Sequence, residues 1–401
     1  MLDGTGTTPT VADVWVRDGR VVEVGASLGV EADEVIDCSG MTVLPGLFDS
    51  HVHVLFEQIN VLRMLQTPFS YPYYQAVHHL AATIDTGVTW VRDAGGADLG
   101  VAQAVRDGLI RGPQMQVALT MLSQTGGHGD GVQACGVDVP LFGVHPGRPN
   151  GVVDGPDEMR KAVRELIRAG ADVIKVATSG GVMSARSDPR RGHFRDIEIE
   201  TLVTEASAAG LFVMAHAQAT DGIKVAVRNG IRSIEHGIYL DDEAIEMMLE
   251  HKTWLVPTLS APRAVIAAAD AGEPLADAVI AKARMVTEAH DDSMRRAFAA
   301  GVKVAMGTDA GVGAHGANLD ELGLMAALGM TPLDAWVATT SSAAALFGLD
   351  TDYGTLEPGK IADVVLLHGM YDDLSGLNDR ILSVYQGGIR VSQGKQGTLK
   401  G

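Results

Sequence analysis

From "GLFDSHVHV" at residue 46 onward, short β-branched runs alternate with longer Ala-rich segments of helical spacing. That rhythm confines the chain to parallel strands joined by crossover helices. Seven further runs continue it: "GVTWVRDAG" from 87, "MQVALTML" from 115, "DVIKVATSG" from 172, "LFVMAHAQ" from 211, "RSIEHG" from 232, "TWLVPTLS" from 253 and "VKVAMGTDAG" from 302. The segment "DGPDEMRKAVRELIRAGADVIKVA" has Asp154 as N-cap and Pro156 near the first turn, with Met159, Ala162, Val163, Leu166 and Ile167 at helical spacing. Gly170 then ends the helix before the next strand. Eight such units predict a (β/α)8 TIM barrel over residues 46–345 rather than an open doubly wound sheet.

The two ends read differently. Residues 11–45 and about 354–401 alternate apolar and polar residues, with Asp-Gly turn signals in the first of the two. The spacing predicts one small β-sandwich domain made jointly by residues 1–45 and 346–401. The loop 123–155, rich in Gly, Pro, His and Asp, is the longest irregular stretch and a candidate active-site loop.

Composition excludes several classes. The net charge of -19, from 50 acidic against 31 basic residues, repels phosphate backbones and anionic membranes, so neither nucleic acid nor membrane is an expected partner. No apolar run approaches the roughly 20 residues that span a bilayer, and the start "MLDGTGTTPTVADVWV" has no basic segment followed by an apolar one. Cys38 and Cys135 are too few for a disulfide framework. A cytoplasmic protein with a small-molecule substrate is expected.

Candidate chemistry collects at strand ends. His51 and His53 are two apart and so project to one side of their strand, forming half of a metal site. His216, His236 and Asp309 each close an apolar run, and in a barrel such ends meet at the rim where active sites sit. Lys175, flanked by Val and Ile, carries a desolvation cost unless paired. It is either salt-bridged to an inward acid such as Asp309 or carboxylated into an anion that bridges two metal ions.

In order, "PGLFDSHVH", Lys175, "AHAQ", "IEHG", "GTDAG" and "GTLEPGKIADVVLL" resemble the amidohydrolase superfamily of metal-dependent hydrolases. "VTWVRDAGG", "TGGHGD", "IKVATSGGVMS" and "EHGIYLDD" are similar to its imidazolonepropionase-related, prolidase-like branch, which cleaves Xaa-Pro dipeptides or N-acyl amino acids. The resemblance implies two divalent metal ions, most often zinc. His51, His53 and Asp309 would hold one, His216 and His236 the other, and carboxylated Lys175 would bridge both. It further implies attack of a bridging hydroxide on the amide carbonyl, with Asp309 passing the proton to the leaving amine. His128 and Tyr239 match positions that touch the substrate. A homo-oligomer is expected.

Relatives usually place a further β-strand before the turn at "MLDGTG", so the small domain is expected to lack an edge strand or the start to be truncated. The loop "SARSDPRRGHFRD" carries Arg186, Arg190, Arg191 and Arg195, which form either a solvated basic loop or the partner of a substrate carboxylate. His78 and His79 fit one helix surface, and His251 and His290 read as surface helix residues. His315 is assigned to ligand support or a substrate loop, and "PFSYPYYQ" to an aromatic wall over the pocket or to helix packing. Ring opening or deamination of a heterocycle is the alternative reaction, against which Lys175 speaks. A non-catalytic scaffold would have lost ligands, and all six positions are filled.

Overall fold

At Gly170 the backbone adopts φ of +91°, and its N–H turns back to the carbonyls of Ile167 and Leu166. A residue without Cβ takes this left-handed cap freely, so the helix stops there and a strand follows. The computed structural model describes residues 1–57, 66–133, 135–139, 145–184 and 186–394. Residues 134 and 140–144 of the 123–155 loop, residue 185 of the arginine loop and the tail from 395 lie outside that description.

The N-terminal segment forms β1 (Asp13–Arg17), β2 (Arg20–Gly25) and β3 (Met41–Pro45). The barrel follows in two parallel sheets. One runs β4 (Leu47–Val52), β5 (Val88–Asp93) and β6 (Gln114–Val117). The other runs β7 (Met121–Leu122), β8 (Val173–Ala177), β9 (Phe212–Ala217), β10 (Ser233–His236) and β11 (Trp254–Val256). Crossover helices cover them, among them α1 (Tyr71–Ile84), α2 (Leu99–Arg106), α3 (Gly155–Ala169), α4 (Asp196–Ala208), α5 (Thr220–Arg228), α6 (Asp242–His251), α7 (Ser260–Asp270) and the long α8 (Asp277–Ala300). Helix α3 buries Met159, Ala162, Val163 and Leu166, of which Met159, Val163 and Leu166 each contribute about 1.5–3 kcal/mol as their side chains leave water. Asp154 occupies its N-cap, but its carboxylate accepts the Thr125 N–H at 3.1 Å and so ties the 123–155 loop to the helix.

Two strands depart from expectation. The run from 115 is not one strand but β6 and β7, split at Leu119, whose φ of +64° is a left-handed conformation that a Cβ opposes. Its first half pairs with β5 and its second with β8, so the run passes from one sheet to the other. The run from 302 forms no laddered strand, only single bridges at Val304 and Ala310. It still closes the barrel, with Ala305 N–H on the Leu255 carbonyl, Ser50 N–H on that of Met306 and Asp309 N–H on that of His51. A Cβ at Gly307 would stand 2.4 Å from Val256, and Asp309 has φ of +59°, so the chain here is pressed close and then bent out of strand geometry.

The tail returns as β12 (Val364–His368), β13 (Ile381–Gln386) and β14 (Ile389–Ser392), giving an antiparallel sheet in the order β14-β13-β12-β3. The β1–β2 hairpin packs onto it through Val21, Leu356, Ala362, Val364 and Leu366. No described helix is long and apolar enough to cross a membrane.

Candidate metal centre at the carboxyl rim

One cavity is lined by His51, His53, His128, Lys175, His216, His236 and Asp309 together. β4 carries His51 and hands His53 to the loop beyond it, β8 supplies Lys175, β9 supplies His216, β10 supplies His236, and the eighth segment supplies Asp309. Donor atoms of His51, His236 and Asp309 fall within 4.8 Å of one another. Asp309 Oδ1 is 3.4 Å from His53 Nε2 and 3.7 Å from His51 Nε2, and Lys175 Nζ is 3.5 Å from His51 Nε2. His216 and His236 meet edge to face, with ring centroids 4.6 Å apart.

Each imidazole is oriented by one nitrogen. His51 Nδ1 lies 2.8 Å from Glu235 Oε2, His53 Nδ1 2.7 Å from the Gly95 carbonyl, and His216 Nε2 3.0 Å from the Gly180 carbonyl. His236 Nδ1 lies 2.6 Å from Thr258 Oγ1, whose own proton goes to the Pro257 carbonyl. Glu235 and the two carbonyls can only accept, and the Thr258 oxygen accepts while its proton is on the Pro257 carbonyl, so these nitrogens are N–H donors. The lone pairs therefore sit on Nε2 of His51, His53 and His236 and on Nδ1 of His216. Burial holds the rings neutral: it pushes His53 down to about 4, and His51, His216 and His236 well below the ordinary histidine range. Neutral, pre-oriented imidazoles are what a metal ion requires.

Burial also lowers the Lys175 ammonium, with Glu235 and Asp309 opposing, and raises the Asp309 carboxyl, with Lys175 opposing. Asp309 Oδ1 is buried and has no hydrogen-bond partner among the described residues. Such an oxygen costs several kcal/mol if left uncompensated, and with the imidazole lone pairs it fits a divalent cation. His236 at φ +74° and Asp309 at φ +59° hold backbone conformations costing of order 1–3 kcal/mol each. The surrounding bonds fix both in place.

Other expectations fall on both sides of the cavity wall. His128 lines it, stacked on His216 at 4.1 Å, and burial pushes its pKa down to about 3. Tyr239 is half-buried outside the lining, where burial raises its phenol. Arg186, Arg190, Arg191 and Arg195 are exposed; Arg190 forks onto Asp188 at 3.0 and 2.9 Å, and Arg195 donates to the Phe194 carbonyl. Phe69 and Tyr73 of the aromatic run pack against His145 and do not reach the cavity.

His290 is a correction: it is fully buried and lines the cavity, because α8 turns the stripe Ala283, Val286, His290, Ser293 and Ala297 inward. Its spacing from Ala283 and Val286 was the available signal. His79 is likewise buried, stacked on His315 at 4.3 Å, while His315 Nε2 bonds the Phe56 carbonyl near the His53 strand end. Sequence reasoning passed over Glu235 and Thr258, which accept the N–H protons of His51 and His236 on the side away from the other donor atoms, and Arg92, which holds Glu235.

A (β/α)8 barrel with these donors on its carboxyl rim is the architecture of metal-dependent hydrolases. The chain belongs to the amidohydrolase family, whose model matches residues 42–389. It is similar to ochratoxinase of Aspergillus niger, 34% identical over 340 residues covering 81% of this chain and 70% of that one. The imidazolonepropionase of Streptomyces coelicolor is 28% identical across 89% of this chain and 85% of its own. The crystal structure of a Xaa-Pro dipeptidase with methionine in its active site superposes with a TM-score of 0.88, at 31% identity over 97% of each chain. The protein is an enzyme, a hydrolase acting on C–N bonds.

Proposed function

We propose that the protein hydrolyses the amide bond of an Xaa-Pro-like dipeptide or an N-acyl amino acid at two divalent metal ions, with zinc suited to the nitrogen-rich donor set. His51, His53 and Asp309 would hold one ion, His216 and His236 the other, and carboxylated Lys175 would bridge them. When bound, the ions lower the pKa of water and polarise the scissile carbonyl.

The remaining work falls to side chains. Burial lowers the Lys175 pKa, so neutral amine is available to add to carbon dioxide, losing one proton as the N–C bond forms. Asp309 accepts a proton inside the cavity and passes it to the leaving amine, and burial favours its protonated form. His128 meets the carbonyl oxygen as it gains charge. Tyr239 is the candidate for a further substrate hydrogen bond, and one arginine among Arg186, Arg190, Arg191 and Arg195 for the substrate carboxylate. The acidic chain is proposed to act in the cytoplasm as a homo-oligomer.

The observation that carries this reading is the buried, unpartnered Asp309 Oδ1 beside two imidazole nitrogens. Similarity to a Xaa-Pro dipeptidase and to ochratoxinase supports the substrate class. Metal analysis of the purified protein, with an assay across dipeptides and N-acyl amino acids, tests it. About two equivalents of metal are expected, falling with activity in Lys175→Ala. Less than one equivalent, with Lys175→Ala fully active, overturns the two-ion mechanism; turnover of heterocycles alone replaces the substrate class.

A further inference from the structure

His128 is gripped by a loop whose role its own motif does not explain. Its Nδ1 lies 2.9 Å from Ser184 Oγ, in the segment after β8. Helix α8 pins that segment: Lys282 donates to the carbonyl of Gly181 at 3.3 Å, to that of Ser184 at 2.7 Å, and to that of Ser187. An ammonium has three protons to donate, and these three carbonyls use them all. Gly181 closes the other side, since a Cβ there would stand 2.3 Å from His128 Cε1. The ring therefore rests against bare backbone.

Counting protons gives the network a direction. Gly181 N–H donates to Ser187 Oγ at 3.2 Å, and Ser187 Oγ is in hydrogen-bond contact with Ser184 Oγ. With the Ser187 proton directed to Ser184, the Ser184 proton has two acceptors in reach, the Gly181 carbonyl at 3.2 Å and His128 Nδ1 at 2.9 Å. That carbonyl already receives Lys282, and the imidazole is the nearer. An Nδ1 that accepts leaves the only proton of a neutral imidazole on Nε2. An Nε2–H can donate to a carbonyl oxygen gaining negative charge, whereas the other tautomer would confront that oxygen with a lone pair.

We propose that Ser184 is a positioning residue: aligned by Ser187 and Lys282, it donates to His128 Nδ1 and keeps His128 in the Nε2–H tautomer required to stabilise the oxyanion. The catalytic consequence rests on the reading of His128 as the group that meets the substrate carbonyl; the tautomer itself does not.

The test takes zinc-loaded, 15N-histidine-labelled protein and assigns the His128 ring by its disappearance in His128→Asn. Long-range proton–nitrogen spectra should report a proton on Nε2 and none on Nδ1 in the wild type, and a mixed or inverted tautomer in Ser184→Ala at unchanged metal content. An Nδ1–H ring in the wild type, or the same tautomer in both proteins, overturns the proposal. Kinetics follow on whichever dipeptide or N-acyl amino acid the wild type cleaves. Ser184→Ala should lower kcat about 10–100-fold with KM within about twofold, Ser184→Thr should recover most of it, and Ser184→Ala should add nothing in a His128→Asn background. Full activity in His128→Asn would remove the oxyanion role of His128, leaving the spectra to judge Ser184 separately.

Discussion

Glu235 Oε2 accepts the Nδ1 proton of His51 across 2.8 Å, and both side chains are sealed inside the barrel. The other carboxylate oxygen is held by Arg92 Nη2 at 3.0 Å and by the Ser233 hydroxyl. Glu235 thus sets which His51 nitrogen carries the lone pair. Glu235→Gln keeps the shape, but its amide can flip and offer a donor. It is expected to weaken metal binding about 10–100-fold, read by chelator competition; unchanged affinity would detach Glu235 from the cage.

Arg92 and Glu235 form an ion pair with almost no solvent contact. Removing one partner strands a buried charge, so Arg92→Met should destabilise by about 3–5 kcal/mol. The urea midpoint measures this. Converting both, as Arg92→Met with Glu235→Gln, removes the stranded charge while keeping an acceptor for His51 and Ser233 and should recover part of the loss; a double variant no better than the single would contradict the pairing argument.

Gly181 lies under the His128 ring with no room for a methyl group. Gly181→Ala should displace that ring and lower kcat by at least about tenfold, while metal content stays at the wild-type value. Retained activity would show that the ring position does not matter to the reaction.

Asp363 lies far from the cage in chain and in role, accepting the Gly387 N–H at 2.9 Å in the small β domain. Burial pushes its carboxyl up to about 6, against an ordinary value near 3.8. Below about pH 4 both folded and unfolded chains hold this proton; between pH 4 and 6 the unfolded chain releases it first, and stability is lost as pH rises. Asp363→Asn carries no such charge. The stability of the variant relative to wild type should grow by about 3 kcal/mol from pH 4 to pH 7 and then level off. A difference that stays flat across that range would refute the shift.

That the candidate ligands would share one cavity was legible because His216, His236 and Asp309 close apolar runs and His51 and His53 leave one, and a parallel barrel brings such ends to one rim. Glu235 was not, since neighbours on a strand face opposite ways and an inward His236 argues for an outward Glu235. The φ of +74° at His236 removes that conflict by turning the chain at its last strand residue, so both side chains reach the interior. Nothing in "VALTML" marks Leu119 as the break in the third strand, because every residue around it suits a buried strand. His290 was legible in principle from the stripe of α8, but an isolated histidine on a charged helix reads first as solvated. Ser184 carries no signal beyond its place in "SGGVMS"; its importance comes from a lysine 98 residues away.

The break at Leu119 leaves the barrel as two plates, β4 to β6 and β7 to β11, rather than one continuous hoop. What crosses the interior between them is polar: Arg92 and His51 on the first plate grip Ser233 and Glu235 on the second. The cage is thus also a rivet. Loosening it should let the plates breathe as rigid leaves, so amide exchange in the Glu235 variant should quicken along the seam between β6 and β7 while the interior of each plate stays slow.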